Sequence, residues 1–84
     1  MKSSRYIITA SEGVCSKLAM SLKNHELVID TFENSGNWYT NGETGPAWFT
    51  VTIESYWKNK ESIEKLVSDE LKKMNASASN SFWG

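Results

Sequence analysis

Residues 5–33, RYIITASEGVCSKLAMSLKNHELVIDTFE, contain a strand pattern, a short break, a helix pattern and a second strand pattern. The first segment is rich in aromatic and β-branched residues, which fit a pleated, half-buried surface. In the helix segment, Val14, Leu18 and Leu22 recur every four residues and form an apolar stripe. The stretch therefore predicts a compact βαβ unit.

The second half of the chain again has the order strand, then helix. From Ala47 to Trp57 the sequence alternates, and Phe49, Val51 and Ile53 form the face that we expect to lie in the core. The other face of this strand is the more exposed one. It consists of Trp48, Thr50, Thr52, Glu54 and Tyr56.

A second helix is predicted after Asn59, which, like Ser11 before the first helix, is of the type that caps helix N-termini. Between the second and third strands, residues 35–46 contain three glycines and a proline and predict a hairpin or flexible loop. The second helix has an apolar stripe of Ile63, Leu66, Val67, Leu71 and Met74.

Two helices that each bury one stripe, together with strands that have one strongly apolar face, fit a two-layer α+β fold. We predict a ferredoxin-like sandwich over residues 1–75, in the order β-α-β-β-α, with both helices on one face of an antiparallel sheet. The third strand is expected to fill the gap between the two parallel strands of the βαβ unit. Residues 76–84 form either a flexible tail or a short fourth strand that docks late.

Composition bounds the function. Of the 84 residues, 39% are hydrophobic and 23% are charged, as in one ordinary globular domain. The net charge of -1 disfavours binding to nucleic acid, which requires clustered positive charge. The single cysteine, Cys15, excludes an internal disulfide and favours a cytoplasmic location. The apolar stretch after Arg5 is too short to span a membrane, so we expect no membrane partner.

The sequence does not predict an enzyme. Cys15 and His25 are its only cysteine and histidine, and they lie near opposite ends of the first predicted helix, where a direct proton relay is not expected. The carboxylates are scattered along the chain rather than paired by spacing. We therefore expect no catalytic residues, no metal site and no cofactor.

The order of the first strand, the turn at residues 11–14 (SEGV), the helix and the strand at residues 27–30 (LVID) resembles an ACT domain. This family comprises small ligand-sensing modules of metabolic enzymes and regulators. Gly13 matches the glycine of the family's turn, whereas Ser11 and Glu12 stand where the family often has Asp and Pro. The resemblance implies a ferredoxin-like fold and a ligand-binding turn at Ser11, Glu12 and Gly13.

Aromatic residues concentrate around the third strand and the loop before it. Large aromatic side chains are enriched at interface hot spots, although several of these rings could instead cover the core of a small domain. A weaker alternative is stacking on single-stranded RNA or DNA, as on the open sheet of RNA-recognition modules. The predicted partner-binding residues are Trp38, Tyr39, Trp48, Thr50 and Tyr56.

The leading functional hypothesis is a small regulatory module that binds a protein or a small ligand, with self-association as a homodimer through a strand edge or the open sheet face. A second hypothesis is a stand-alone inhibitor or counter-defence protein of a phage or mobile element, which would cover the site of a host enzyme. The identity of the partner does not follow from the sequence.

Overall fold

A computed structural model describes residues 2–40 and 43–84, and the side chains of residues 38–46 lie outside that description. Six regular elements follow one another in the order β-α-β-β-α-β, and a 3₁₀ turn precedes the second helix. They are β1 Ser3–Thr9, α1 Glu12–Leu22, β2 Val28–Thr40, β3 Glu43–Tyr56, the 3₁₀ turn Trp57–Asn59, α2 Lys60–Lys73 and β4 Asn80–Trp83.

The four strands form one sheet in the order β2-β3-β1-β4, in which every neighbouring pair is antiparallel. β1 and β2, the two strands of the βαβ unit, are parallel to each other, and β3 lies between them as the sequence predicts. The two helices contribute to a single core on one face of the sheet. The ferredoxin-like two-layer sandwich is therefore confirmed.

The core is built from the inward face of β3 and the apolar stripes of the two helices. Val51 and Ile53 of β3 are fully buried, and so are Leu18 of α1 and Ile63 of α2. Burial of one such side chain contributes about 1.5–3 kcal/mol to the free energy of unfolding. These residues hold both helices to the same strand, and Phe49 packs against their edge as predicted.

One polar side chain is buried in this layer. Ser55, next in line after Ile53 on the inward face of β3, is completely buried, and its hydroxyl donates a 2.6 Å hydrogen bond to the backbone oxygen of Leu27. A buried hydroxyl without an acceptor would be costly, so this bond fixes the approach of the chain to β2.

The helix ends differ from the expectation in one respect. Neither Ser11 nor Asn59 makes a side-chain capping hydrogen bond, although both occupy the N-cap position. At the other end of α2, Asn75 adopts a left-handed conformation with φ of 54°. The N–H of Ala76 then donates to the oxygen of Leu71 at 2.9 Å, a bond that ends the helix and turns the chain toward the sheet.

Of the hairpin and the flexible loop that the sequence admits for residues 35–46, the structure contains the hairpin, and its two strands take up most of that segment. β2 continues to Thr40 and β3 begins at Glu43, with Ser35 paired to Phe49 and Gly36 paired to Trp48. The glycine-rich composition predicts a break because glycine weakens a strand. Here the cross-strand partner supplies the contacts that the glycine lacks, and the ladder continues.

The sequence admits either a flexible tail or a short fourth strand for residues 76–84, and the structure contains the strand. β4 pairs with β1 over four residues, and the rings of Tyr6 and Trp83 stack with their centroids 4.7 Å apart. The Tyr6 hydroxyl also donates to the Ser81 hydroxyl at 3.0 Å, and the Ser79 N–H donates to the oxygen of Thr9 at 2.9 Å. All of these bonds join the tail to β1.

That β4 docks late stays a prediction. Because β4 is short and is hydrogen-bonded along one side only, we expect its amides to exchange with solvent much faster than those of Ile8, Val51 and Ile53. Native-state hydrogen exchange followed by NMR measures this difference. Equal protection of β4 and β3 would show instead that the tail folds together with the core.

Candidate functional site

The face of the sheet opposite the helices carries a row of four side chains, three apolar and one threonine, which we term the apolar row. Strand register places Phe32 of β2 beside Thr52 of β3, Thr52 beside Ile7 of β1, and Ile7 beside Phe82 of β4. All four side chains point away from the core, because their sequence neighbours in β1 and β3 are the buried ones. Phe32 is 43% exposed and Phe82 is 48% exposed, so the row lies open at both ends.

A charged row runs beside the apolar one. Asp30 pairs with Glu54 across β2 and β3, and Glu54 pairs with Arg5 across β3 and β1. The Arg5 Nε lies 3.7 Å from a carboxylate oxygen of Glu54, and its guanidinium carbon lies 5.5 Å from the centre of the Phe32 ring. The arginine thus connects the two rows, and the charged row has more negative than positive groups.

Trp48 occupies the end of the open face where the β2–β3 hairpin extends beyond β1. Its indole lies directly over Gly36, its cross-strand partner: a Cβ built at Gly36 would lie 2.6 Å from Trp48 Cε2 and closer still to Cζ2. The glycine is therefore required for space, and the large ring covers the gap that the missing side chain leaves.

The predicted partner-binding residues are distributed as follows. Trp48, Thr50 and Tyr56 all lie on the open face, and Tyr56 is 39% exposed. The backbones of Trp38 and Tyr39 lie in β2, but their side chains are outside the described part of the chain. Whether these five residues bind a partner stays a prediction.

Three members of the apolar row, Ile7, Phe32 and Phe82, do not belong to the predicted set. Phe32 reaches the open face because the ladder shifts by one residue between Val28 and Asp30, where Ile29 is left out of register. Phe82 reaches it only once β4 has docked. No sequence signal singles out Ile7, because it lies between Tyr6 and Ile8 in a run of apolar residues that does not alternate with polar ones.

The predicted ligand-binding turn borders a cavity of about 280 Å³ between α1 and the β2–β3 hairpin. Of the three turn residues only Glu12 lines it, and Ser11 and Gly13 do not. The Glu33 carboxylate lies on the opposite wall and accepts a 2.9 Å hydrogen bond from the Ser16 hydroxyl. The other lining residues are Cys15, Asn34, Ser35, Phe49 and Thr50.

Cys15 and His25 have no joint role in the structure. Cys15 is 2% exposed, and burial raises the pKa of its thiol, with a smaller contribution in the same direction from the negative charge of Glu33. The thiol lies 3.8 Å from the backbone oxygen of Ala10. A raised pKa keeps the thiol protonated and unreactive at neutral pH. The Nδ1 atom of His25 accepts a 3.1 Å hydrogen bond from the Leu27 N–H, beyond the other end of α1.

Among the side chains that the structure describes, those of residues 2–37 and 47–84, no three of the His, Cys, Asp or Glu type are grouped so that they could hold a metal ion. No helix in the described part of the chain is both long enough and apolar enough to cross a membrane.

Comparison with known proteins supports the fold alone. No family model matches the sequence, and no curated protein is similar to it by sequence. The fold is similar to that of the periplasmic divalent cation tolerance protein CutA from Archaeoglobus fulgidus, with a TM-score of 0.54 and 19% sequence identity. The alignment covers 98% of this chain and 79% of that one. The likeness shows a small ferredoxin-like module, and an ACT domain is not shown.

Because of the contact between Gly36 and Trp48, we expect substitution by alanine to have opposite effects on stability at Gly36 and at Gly13. Gly36→Ala forces the indole away, and we expect a loss of about 1–3 kcal/mol in the free energy of unfolding together with a changed Trp48 fluorescence. Gly13, in the first turn of α1, has nothing within 4 Å of an added Cβ. Gly13→Ala should therefore stabilise the chain by about 0.5–1 kcal/mol. Urea denaturation measures both, and equal effects of the two would contradict the contact.

Proposed function

We propose that the protein is a small non-enzymatic binding module that forms a homodimer through the open face of its sheet. The observation that carries the proposal is the apolar row of Phe32, Thr52, Ile7 and Phe82, which crosses all four strands. Apolar side chains aligned in this way on a solvated sheet face are typical of an interaction surface. A chain of 84 residues has a thin margin of stability, so covering the row would also stabilise the fold.

The face is complementary to itself. A two-fold axis parallel to the strands, between β3 and β1, would place Arg5 of one copy opposite Glu54 of the other. The same axis would place Phe32 opposite Phe82 and Thr52 opposite Ile7. Such an isologous contact pairs unlike charges twice and buries the aromatic rings, and it requires no surface beyond the one already described.

The charge of this face favours a protein over a nucleic acid. Arg5 is accompanied by both Asp30 and Glu54, whereas binding to a phosphate backbone requires an excess of positive groups. The inhibitor hypothesis uses the same face, because a row that covers a second copy could also cover the site of a host enzyme. The oligomeric state separates these alternatives.

We expect Phe82→Glu and Phe32→Glu, at opposite ends of the row, to convert the dimer to a monomer. Each places a carboxylate in the contact, and loss of a hot spot of about 2 kcal/mol weakens the dimer about thirtyfold. Analytical ultracentrifugation over a range of concentrations measures the dissociation constant, and circular dichroism checks that both variants stay folded.

The matched control for these variants is Met20→Glu. Met20 is 78% exposed on α1, on the helix side of the sheet, so the same change in charge there should leave the dimer intact. A wild-type chain that is monomeric at high concentration would refute the dimer. If that monomer bound a host enzyme in a Phe82-dependent manner, the inhibitor hypothesis would replace the dimer proposal. Phe82-dependent binding of a single-stranded oligonucleotide would favour the nucleic-acid hypothesis instead.

A second candidate function is the binding of a small ligand at the cavity beside Glu12. The cavity has carboxylates of Glu12 and Glu33 on facing walls, hydroxyls between them, and the Phe49 ring, with no Lys or Arg in its lining. These groups suit the ammonium group of a small molecule, for instance of an amino acid whose carboxylate stays in solvent. A ligand-sensing role of this kind is what the ACT-like turn at Ser11, Glu12 and Gly13 implies, and the single cysteine, Cys15, favours the cytoplasm as its location.

Thermal denaturation in the presence of each amino acid tests this second candidate. A ligand at one hundred times its dissociation constant adds about 2.7 kcal/mol to the stability of the folded state, which raises the melting temperature of a small domain by several degrees. Glu33→Gln, which preserves the acceptor for Ser16, should abolish the rise, whereas Glu26→Gln in the exposed loop after α1 should not. A screen without any rise would remove the ligand-sensing role and leave the dimer proposal unaffected.

A further inference from the structure

A larger cavity, of about 530 Å³, lies on the helix side of the sheet where the 3₁₀ turn, α2 and β4 meet. It is separate from the open face and from the cavity beside Glu12. Its volume is within the range of pockets that hold small organic ligands. The groups that line it and matter here are the indoles of Trp57 and Trp83, the ammonium groups of Lys58 and Lys60, and the carboxylates of Glu61 and Glu64.

Positive charge is concentrated around one indole of this cavity. The Lys60 Nζ lies 3.7 Å from the centre of a Trp57 ring and 5.0 Å from the centre of a Trp83 ring, and the Lys2 Nζ lies 5.4 Å from Trp57. Among the residues that the structure describes, no carboxylate forms an ion pair with Lys2, Lys58 or Lys60. On a chain with a net charge of -1, the ammonium groups of Lys2 and Lys60 are held by aromatic rings, and all three lysines stay available to an anion.

Trp57 is both exposed and held in place. Its side chain is the most exposed ring among the described residues, at 54%, although a buried indole would contribute more to stability. Its backbone N–H donates a 2.8 Å hydrogen bond to the oxygen of Lys2, which fixes the start of the 3₁₀ turn to the N-terminal strand. A planar ring in a fixed position beside cations is suited to stacking with a flat ligand that carries a negative group.

From these contacts we infer that the cavity binds a nucleoside monophosphate. The phosphate lies between Lys58 and Lys60, where two ammonium groups match a dianion. The base stacks on the exposed part of Trp57, and the ribose hydroxyls donate to Glu61 or Glu64. The two glutamates select for a single nucleotide, because they would repel the further phosphates of a polynucleotide chain.

Titration of the wild-type chain with AMP tests the inference. We expect quenching of tryptophan fluorescence and a shift of the Trp57 indole N–H in NMR spectra, where each of the four tryptophans gives its own signal. Adenosine and inorganic phosphate, added separately, should each bind at least about tenfold more weakly than AMP, because each lacks one of the two contacts. Higher salt should weaken the binding of AMP and leave the binding of adenosine unchanged.

Charge variants at three lysines identify the site. Lys58→Gln and Lys60→Gln should each raise the dissociation constant for AMP about tenfold, the loss expected for one charge-assisted contact. Lys65→Gln is the matched control, because Lys65 is exposed on the same helix and does not line the cavity. The inference is overturned if millimolar AMP leaves the Trp57 signal unmoved, if adenosine binds as tightly as AMP, or if Lys65→Gln weakens binding as much as Lys60→Gln.

Discussion

The position of β3 is the constraint on which the rest of the structure depends. It is hydrogen-bonded to β2 on one side and to β1 on the other, and three residues of its inward face, Val51, Ile53 and Ser55, are fully buried. Because side chains alternate along a strand, burial of Val51, Ile53 and Ser55 forces Thr52 and Glu54 outward. A shift of one residue would expose the core and bury a carboxylate. The register of β3 therefore fixes both the core and the open face.

Much of the fold could be predicted from the sequence because its strongest patterns are local. The stripes of α1 and α2 and the alternation of β3 each lie within one element. The extent of the β2–β3 hairpin could not be predicted, because Gly36 is tolerated only through the indole of Trp48 on the neighbouring strand. β4 could not be predicted with the same force, since a four-residue strand with polar neighbours depends on the free edge of β1.

The residues of the candidate surfaces also divide into those that a pattern within one strand reveals and those that depend on contacts between strands. Trp48, Thr50 and Tyr56 could be assigned to one face from the alternation of β3 alone. The apolar row required the register of four strands, including the irregularity at Ile29, so a search along the chain could not assemble it. The lysines around Trp57 could not be grouped from the sequence for a similar reason: Lys2 and Lys60 are distant in sequence and meet at Trp57 only because β1 pairs with the end of β3.

β4 connects the two proposed surfaces. Phe82 faces outward and completes the apolar row beside Ile7. Trp83 faces the helices, stacks on Tyr6 and lines the cavity where the 3₁₀ turn, α2 and β4 meet. The indole nitrogen of Trp83 is buried without a hydrogen-bond partner, which offsets part of the gain from the stack. The short strand is thus held by a modest free energy, and both surfaces are complete only while it is paired with β1. A partner that covers Phe82 stabilises that pairing, and through the adjacent residue it also holds the wall of the cavity in place.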